Sequence, residues 1–405
     1  MKEKLSSRLF VCLFFVYTSS IIARMSFSAV TVALVGEEVL TKTEAGLISS
    51  VFWLLYAVGQ IFGGFLTKKI SPYILIESTI VSSALTNLLL AFTKEFWIML
   101  VIWGIGGILQ FGMWPAILEL ISTEIVPKQR ATVTGRLAFC YCLGSIVSYA
   151  LTAVVLEFLS WRHVFIWCGV INAMVLVLAL YGHKKLSPVL RQEEKTESFA
   201  VKSEKITKDM FWKSVLPSFC AFILILGFVE TGIKSWMPTI MMETYGASPS
   251  YTSFLTVILL ITNIFGVLIC HYIYEKRQHD ELGTLKVMYI MIVPMILCLM
   301  NFKGMSIYIA TALMSGITVL MYGSKQIILM NYPARFYAWG LTAAVGGIIN
   351  AFGALGNVLA TYGSGFIADT FGWGELIVVW NVLIILFVLI VILSTPLWRK
   401  FRRRE

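Results

Sequence analysis

Four ionisable side chains interrupt long apolar stretches of this 405-residue sequence, and they are the residues best suited to bind a charged ligand. Arg24 lies in the first stretch, Glu230 and Lys234 lie together in a later one, and Lys325 lies in a third. A guanidinium offers five donors in a planar fork that fits a carboxylate or a phosphate. Arg24 is therefore predicted to bind an anion. The alternative is a permanent pairing with a carboxylate or with helix-end carbonyl groups of the protein itself.

Glu230 and Lys234 stand one helical turn apart, in the favourable Glu-before-Lys order. One interpretation is a self-neutralising structural pair. The other has Glu230 bonded to Arg24 in the empty state and released, or protonated, when substrate arrives. Because burial disfavours the charged form of a carboxyl group, Glu230 could then carry a coupling proton beside Lys234. Lys325 is assigned to the substrate site as a further cation, and the alternative is that it reaches towards the lipid headgroups.

Polar and aromatic side chains in the other apolar stretches complete the predicted substrate contacts. They are Gln60, Gln110, Asn263, Tyr56, Tyr141 and Trp114. Hydrogen bonding between helices is the commoner role of such amides, and core packing explains the aromatic residues equally well. The sequence contains no metal-ligand spacing, phosphate-binding loop or catalytic motif. We therefore expect no metal, no cofactor and no enzyme.

The composition shows which kind of structural element must position these residues. Hydrophobic residues make up 58% of the chain and charged residues 13%, whereas soluble domains have about 45–50% and about 25%. Twelve stretches reach the length of about 20 residues that a helix needs to cross a bilayer. Numbered as spans 1 to 12, they lie near residues 9–35, 44–66, 73–93, 96–121, 131–157, 163–182, 214–241, 251–274, 284–301, 306–330, 338–366 and 376–397. An all-α membrane protein with twelve transmembrane helices is predicted.

A polar stretch and an internal repeat divide the chain into two halves. We predict an N-terminal six-helix bundle over 1–182, a cytoplasmic linker over 183–213, and a C-terminal six-helix bundle with a basic tail over 214–405. The tetrapeptide that ends at Gly63 in span 2, QIFG, is echoed by NIFG ending at Gly266 in span 8. Two pseudo-symmetric halves are typical of transporters, whose substrate sites lie where the repeats meet.

The basic residues are distributed unevenly between the two sides of the predicted membrane. With a cytoplasmic N-terminus, 25 of the 29 Lys and Arg residues outside the spans fall on the cytoplasmic side, as the positive-inside rule requires. We therefore predict a multi-pass protein of the cell (plasma or inner) membrane with both termini in the cytoplasm. Because the net charge of +10 is dispersed along the chain, no nucleic-acid partner is expected.

Six segments spread over nearly the whole chain carry a family resemblance. They are SSIIARMSFSAVTVAL in span 1, LLYAVGQIFGGFL in span 2, GILQFGMWPAI in span 4, SWRHVFI after span 5, TGIKSWMPT in span 7, and the run from YGSKQ to IADTFGW across spans 10 and 11. In them the sequence resembles the major facilitator superfamily, and more narrowly its organophosphate:phosphate antiporter family. The resemblance implies the major facilitator fold and a monomeric secondary active transporter in the lipid bilayer. It would move a small organic anion by alternating access, with a proton or phosphate as counter-ion.

The resemblance also assigns ligand positions. In the phosphate-transporting members, two arginines in helices 1 and 7 bind phosphate, and Arg24 matches the first. Glu230 stands at the second, Tyr141 at a helix-5 histidine and Gln60 at a helix-2 lysine. The anion:cation symporters of sugar acids share the helix-1 arginine and a YxxxQxxGG pattern, which begins here at Tyr56. A proton-coupled sugar-acid or carboxylate symporter is therefore one alternative, and a transporter-like ligand sensor is another.

The predicted topology can be tested by cysteine labelling in intact cells. We expect a cysteine placed at Gln192, in the predicted linker, to react with a membrane-impermeant maleimide only after the membrane is opened, because the basic residues orient this segment to the cytoplasm. A cysteine placed at Lys94, in a predicted outer loop, is the matched control and should label in intact cells. Labelling of position 192 from outside would contradict the topology.

Overall fold

The computed structural model describes residues 2–66, 70–125, 127–190, 214–336, 339 and 341–402. Within these residues the chain is α-helical and contains no strand. Eleven helices of the described part are long and apolar enough to cross a membrane, and the helix Lys42–Leu66 occupies the remaining predicted span. The prediction of an all-α, twelve-span membrane protein is therefore confirmed.

Each predicted span corresponds to one helix or to a pair of consecutive helical segments. The helices before the predicted linker are α1 (Lys2–Gly36), α2 (Lys42–Leu66), α3 (Pro72–Ala91), α4 (Phe96–Leu109), α5 (Met113–Glu124), α6 (Pro127–Phe158) and α7 (Trp161–Leu190). Those after it are α8 (Leu216–Tyr245), α9 (Pro249–Lys276), α10 (Glu281–Leu299), α11 (Ile307–Gln326), α12 (Thr342–Thr370) and α13 (Trp373–Arg402).

The chain divides into two compact units. Residues 1–198 with 248–257 form the first, and residues 199–247 with 258–405 form the second. Helix α7 continues to Leu190, so the described beginning of the predicted linker is helical. The rest of that linker, residues 191–213, lies outside the described residues.

Two of the predicted spans are not continuous α-helices. Span 4 tightens into a 3₁₀ turn at Gln110–Gly112 between α4 and α5, and Pro115 follows just inside α5. In span 10, α11 passes into a π-helical turn at Ile327–Asn331, and a single α-turn that contains Pro333 ends the span. A proline ring clashes with the carbonyl four residues earlier and offers no amide hydrogen, so each interruption lies where the regular ladder must fail.

Glycines bring α9 and α11 into backbone contact in the second unit. A Cβ atom on Gly266 would lie 1.9 Å from the carbonyl oxygen of Val319, and one on Gly323 would lie 2.2 Å from that of Gly266. In α12, by contrast, a Cβ atom on Gly347 would meet nothing within 4 Å. Small residues at such crossings let helices pack closely in lipid, so the two helices depend on the missing side chains at Gly266 and Gly323.

The contact predicts opposite effects for the same substitution at two glycines. Gly323→Ala should lower the melting temperature of the purified protein, because overpacking a close contact costs about 1–3 kcal/mol. Gly347→Ala has open space and should leave the melting temperature unchanged or raise it, since alanine favours a helix by up to about 1 kcal/mol over glycine. Equal melting temperatures for the two variants in the same detergent would show that α9 and α11 do not touch at Gly323.

Candidate functional site

Arg24 is buried in the first unit, on α1, and its contacts are made by neutral groups. Only 5% of the residue is exposed. Its Nε donates to Oε1 of Gln110 at 2.9 Å, and its guanidinium carbon lies 4.4 Å from the centre of the Tyr56 ring. Within the described residues, Arg24 has no ion pair with a carboxylate and neither Nη nitrogen has a protein acceptor. Among the described residues, nothing therefore occupies the Nη side of the guanidinium fork.

Gln110 is oriented by Arg24 because a guanidinium can only donate hydrogen bonds. The amide oxygen therefore faces Arg24, and the amide nitrogen points elsewhere. Gln110 is fully buried, and among the described residues its Nε2 has no hydrogen-bond partner. A buried donor without an acceptor costs about 1–3 kcal/mol. The 3₁₀ turn that carries Gln110 thus presents a second unused donor next to the arginine.

The turn of α1 that precedes Arg24 is fixed by side chains of three neighbouring helices. Each of them donates to a carbonyl oxygen of α1. The bonds are Asn172 to Ser19 at 3.2 Å, Ser148 to Ile22 at 3.1 Å and Asn87 to Ala23 at 3.4 Å. Because the backbone is anchored in this way by α7, α6 and α3, the position of Arg24 is set before any ligand arrives.

Aromatic residues surround the arginine. The rings of Tyr17 and Trp114 lie 5.2 Å apart, and Arg24, Tyr56 and Tyr141 all act electrostatically on the Tyr17 hydroxyl. Trp114 and Tyr141 are half-buried. The structure therefore brings Arg24 into direct contact with two of the predicted substrate contacts, Gln110 and Tyr56, and two more, Trp114 and Tyr141, lie near Tyr17.

Three charged residues of the second unit, Glu230, Lys234 and Lys325, form a triad. Oε2 of Glu230 accepts a hydrogen bond from Nζ of Lys325 at 2.8 Å, and Oε1 lies 3.9 Å from Nζ of Lys234. The Glu230 side chain is 1% exposed, against 12% for Lys234 and 23% for Lys325. The Glu230 side chain is thus enclosed, while both lysine side chains are partly accessible. The contact with Lys325 was not predicted, and the interpretation that links Glu230 to Arg24 stays a prediction.

Helix α8 is held next to α12 beside Glu230. The hydroxyl of Thr231 donates to Oδ1 of Asn357 at 2.8 Å, and a Cβ atom on Gly227 would lie 2.9 Å from the carbonyl oxygen of Gly353. These contacts fix the helical turn that carries Glu230. Asn357 therefore serves as a link between helices.

Several further polar side-chain atoms of the second unit are buried without a hydrogen-bond partner in the described part, and two of them belong to residues considered for the site. Oδ1 of Asn263, a predicted substrate contact, is one of them. The hydroxyl of Tyr289 on α10 is the other, and Glu230 acts on it electrostatically. Tyr289 was missed, because a tyrosine in an apolar stretch looks like a core residue. Its ring indeed stacks on Phe387 at 3.5 Å. The side chain of Gln60 lies outside the described residues.

Two named transporters are similar to most of this chain. The glycerol-3-phosphate transporter of Bacillus subtilis is 23% identical over 395 residues, which are 92% of this chain and 88% of the relative. The probable L-galactonate transporter of Escherichia coli is 23% identical over 393 residues, which are 91% of this chain and 84% of the relative.

A solved structure shares the fold. It is a bacterial homolog to the human lysosomal transporter Spinster, in an inward-facing and unoccupied conformation, with a TM-score of 0.79 and 15% identity over 98% of each chain. A model of the Major Facilitator Superfamily matches residues 9–361. This chain therefore belongs to the Major Facilitator Superfamily and is a membrane transporter, not an enzyme.

Proposed function

We propose that this protein is a secondary active transporter that moves a small organic anion, of the sugar-phosphate or sugar-acid class, by alternating access. The observation that carries the proposal is the buried Arg24, whose partners in the described residues are an amide oxygen and an aromatic ring. The relatives that transport glycerol 3-phosphate and, by name, L-galactonate support the same class of substrate.

The physical argument is the cost of an unneutralised cation in the membrane. An arginine at the centre of a transmembrane helix costs about 2.5–3.5 kcal/mol on insertion scales. Neither the Gln110 amide nor the Tyr56 ring supplies a negative charge, so the site is electrostatically incomplete. An anionic ligand would complete it through two parallel, charge-assisted hydrogen bonds to the Nη nitrogens. Nε2 of Gln110 would supply a third donor to the same ligand.

A proton-coupled sugar-acid symporter is the second candidate. One arginine fork matches one carboxylate group, and a relative of the sugar-acid class covers 91% of this chain. An antiporter would exchange the organic anion for phosphate, whereas a symporter would draw on the pH gradient. The two mechanisms differ in the counter-ion and use the same Arg24 site.

The remaining features follow from the sequence. We infer a monomer of the plasma or inner membrane with both termini in the cytoplasm. Its functional halves are residues 1–182 and 214–405, joined by the cytoplasmic linker 183–213. The dispersed basic residues support this orientation.

Arg24→Lys tests the anion site directly. The variant keeps the charge and loses the fork, so we expect uptake of the organic anion into proteoliposomes to fall by about tenfold or more. Arg399→Lys is the matched control, because Arg399 is exposed in the last turn of α13 and should be replaceable. The panel is glycerol 3-phosphate, glucose 6-phosphate and galactonate, with internal phosphate or with an imposed pH gradient. Normal uptake by Arg24→Lys would refute the proposed function.

Gln110 allows the site to be closed by a single substitution. Gln110→Glu places a carboxylate 2.9 Å from Nε of Arg24, where the amide oxygen now lies. The resulting internal ion pair should compete with the ligand and abolish uptake, while the melting temperature stays the same or rises. Gln110→Leu removes the acceptor without adding charge and should only weaken binding. Wild-type uptake by Gln110→Glu would show that Arg24 does not bind the substrate.

A further inference from the structure

We propose that the first unit binds a phospholipid in a groove between the end of α6 and the beginning of α9, and that Glu157 selects a phospholipid with an ethanolamine headgroup. Helix α6 is span 5 and α9 is span 8. In a chain of twelve spans, odd-numbered spans end, and even-numbered spans begin, on the side opposite to the two termini. The groove therefore faces that leaflet of the membrane. Its lining residues are distinct from the proposed substrate contacts.

The groove is held open by a direct bond between its two helices. Its volume is about 310 Å³, which reaches the range of about 300–1,000 Å³ that is usual for ligand sites. Residues 248–257, which include the beginning of α9, belong to the first unit. The hydroxyl of Ser250 donates to the carbonyl oxygen of Ala153 on α6 at 2.7 Å. Because this bond ties the two helices together, both walls are in place before a ligand arrives.

The walls of the groove are mainly apolar side chains that the protein itself leaves uncovered. Val154 and Phe158 of α6 are 62% and 80% exposed, and Phe254 of α9 is 52% exposed. Both helices contribute segments that are long and apolar enough to cross a membrane. Val154 and Phe254 lie about one turn inside the ends of their helices, at the level where acyl chains begin. The inner part of the groove is therefore suited to the apolar part of a lipid.

Glu157 is the acidic side chain of the groove, and its position is electrostatically unfavourable. It is exposed and lies in the last turn of α6, one residue before Phe158. The C-terminal end of a helix carries partial negative charge, so a carboxylate is disfavoured there. Among the described residues, Glu157 has no hydrogen bond or ion pair. The nearest basic residue along the chain, Arg162, lies over the Trp161 ring. The carboxylate therefore favours a cation from outside the chain.

The depth of Glu157 indicates which cation that is. The residue lies at the end of the apolar segment Phe139–Phe158, and hence at the level of the lipid headgroups. The ammonium of an ethanolamine headgroup has N–H groups that donate charge-assisted hydrogen bonds to a carboxylate. A choline headgroup has a cation without an N–H group, and a glycerol headgroup has no cation. An ethanolamine phospholipid is therefore the best match to Glu157.

The second charge of that headgroup is matched by α9. The α9 wall includes Ser250 and Tyr251, which belong to the first turn of the helix. The N-terminal turn of a helix carries partial positive charge and attracts anions. One wall thus attracts the ammonium through Glu157, and the other attracts the phosphate. An ethanolamine phospholipid presents both charges on one headgroup.

The experiment is photo-crosslinking of the purified full-length protein in vesicles of equal parts phosphatidylcholine and phosphatidylglycerol. Three probes carry the same diazirine-labelled acyl chain on phosphatidylethanolamine, phosphatidylcholine or phosphatidylglycerol. Each is added as a minor component, and peptide mass spectrometry locates the labelled residues. We expect the ethanolamine probe to label Val154 and Phe254 about threefold or more above the other two probes, which is the effect of an ion pair at the membrane surface.

Variants of Glu157 separate headgroup recognition from the shape of the groove. Glu157→Gln keeps the size and removes the charge, so labelling by the ethanolamine probe should fall to the level of the choline probe. Glu157→Lys reverses the charge and is favourable at a helix C-terminus, so it should transfer the preference to the glycerol probe. Glu95→Gln is the matched control, because Glu95 is an exposed carboxylate at the start of α4 on the same membrane face. It should label as the wild type does.

Three results would contradict the proposal. Equal labelling of the groove by all three probes in the wild type would show that Glu157 does not select the headgroup. Stronger labelling by the choline probe would overturn the assignment to ethanolamine. If a second copy of the chain covers the groove, no probe would label it while other lipid-facing residues are labelled. Because transport is not measured, the outcome is independent of the proposed function.

Discussion

Removing a charge from water is expensive, and the ionised side chains deep in the spans of this protein are arranged around that cost. Glu230 lies between two lysines, so its carboxylate is compensated although it is almost fully enclosed. The Arg24 guanidinium contacts the amide oxygen of Gln110 and the face of the Tyr56 ring, and these two groups orient it without neutralising its charge. The two units therefore treat charge differently. Among the described residues, Arg24 of the first unit has no carboxylate partner, whereas Glu230 of the second unit lies against two lysines.

The same constraint acts on the backbone. Peptide groups in a bilayer must be satisfied within the protein, which makes helices the available architecture. Side chains that reach carbonyl groups of a neighbouring helix then become strong positional links, as Asn172 does at Ser19. A 3₁₀ turn precedes Pro115 and a π turn precedes Pro333. Both interruptions lie next to polar residues of interest, Gln110 in one and Lys325 beside the other.

The fold could be predicted because its signal is long-range and redundant. Twelve apolar stretches, each long enough to cross a bilayer as a helix, are compatible with one class of structure, an all-α membrane protein. No single residue decides this class. The contact between Glu230 and Lys325 was missed because the two residues lie on different helices, 95 residues apart in the sequence, and the sequence pattern does not show which faces of two helices meet. The orientation of the Gln110 amide could also not be predicted from the sequence, because it depends on which atom of Arg24 the amide contacts.

The π-helical turn Ile327–Asn331 has a consequence for comparing this protein with its relatives. A π turn accommodates one residue more than the α-helix that would replace it. A relative without that residue should therefore align with a one-residue gap in this turn. If the gap is ignored, the two sides of span 10 fall out of phase by about 100°, the rotation of one helical residue. An alignment anchored on Pro333 alone would then pair Lys325 with a residue from a different face of the helix.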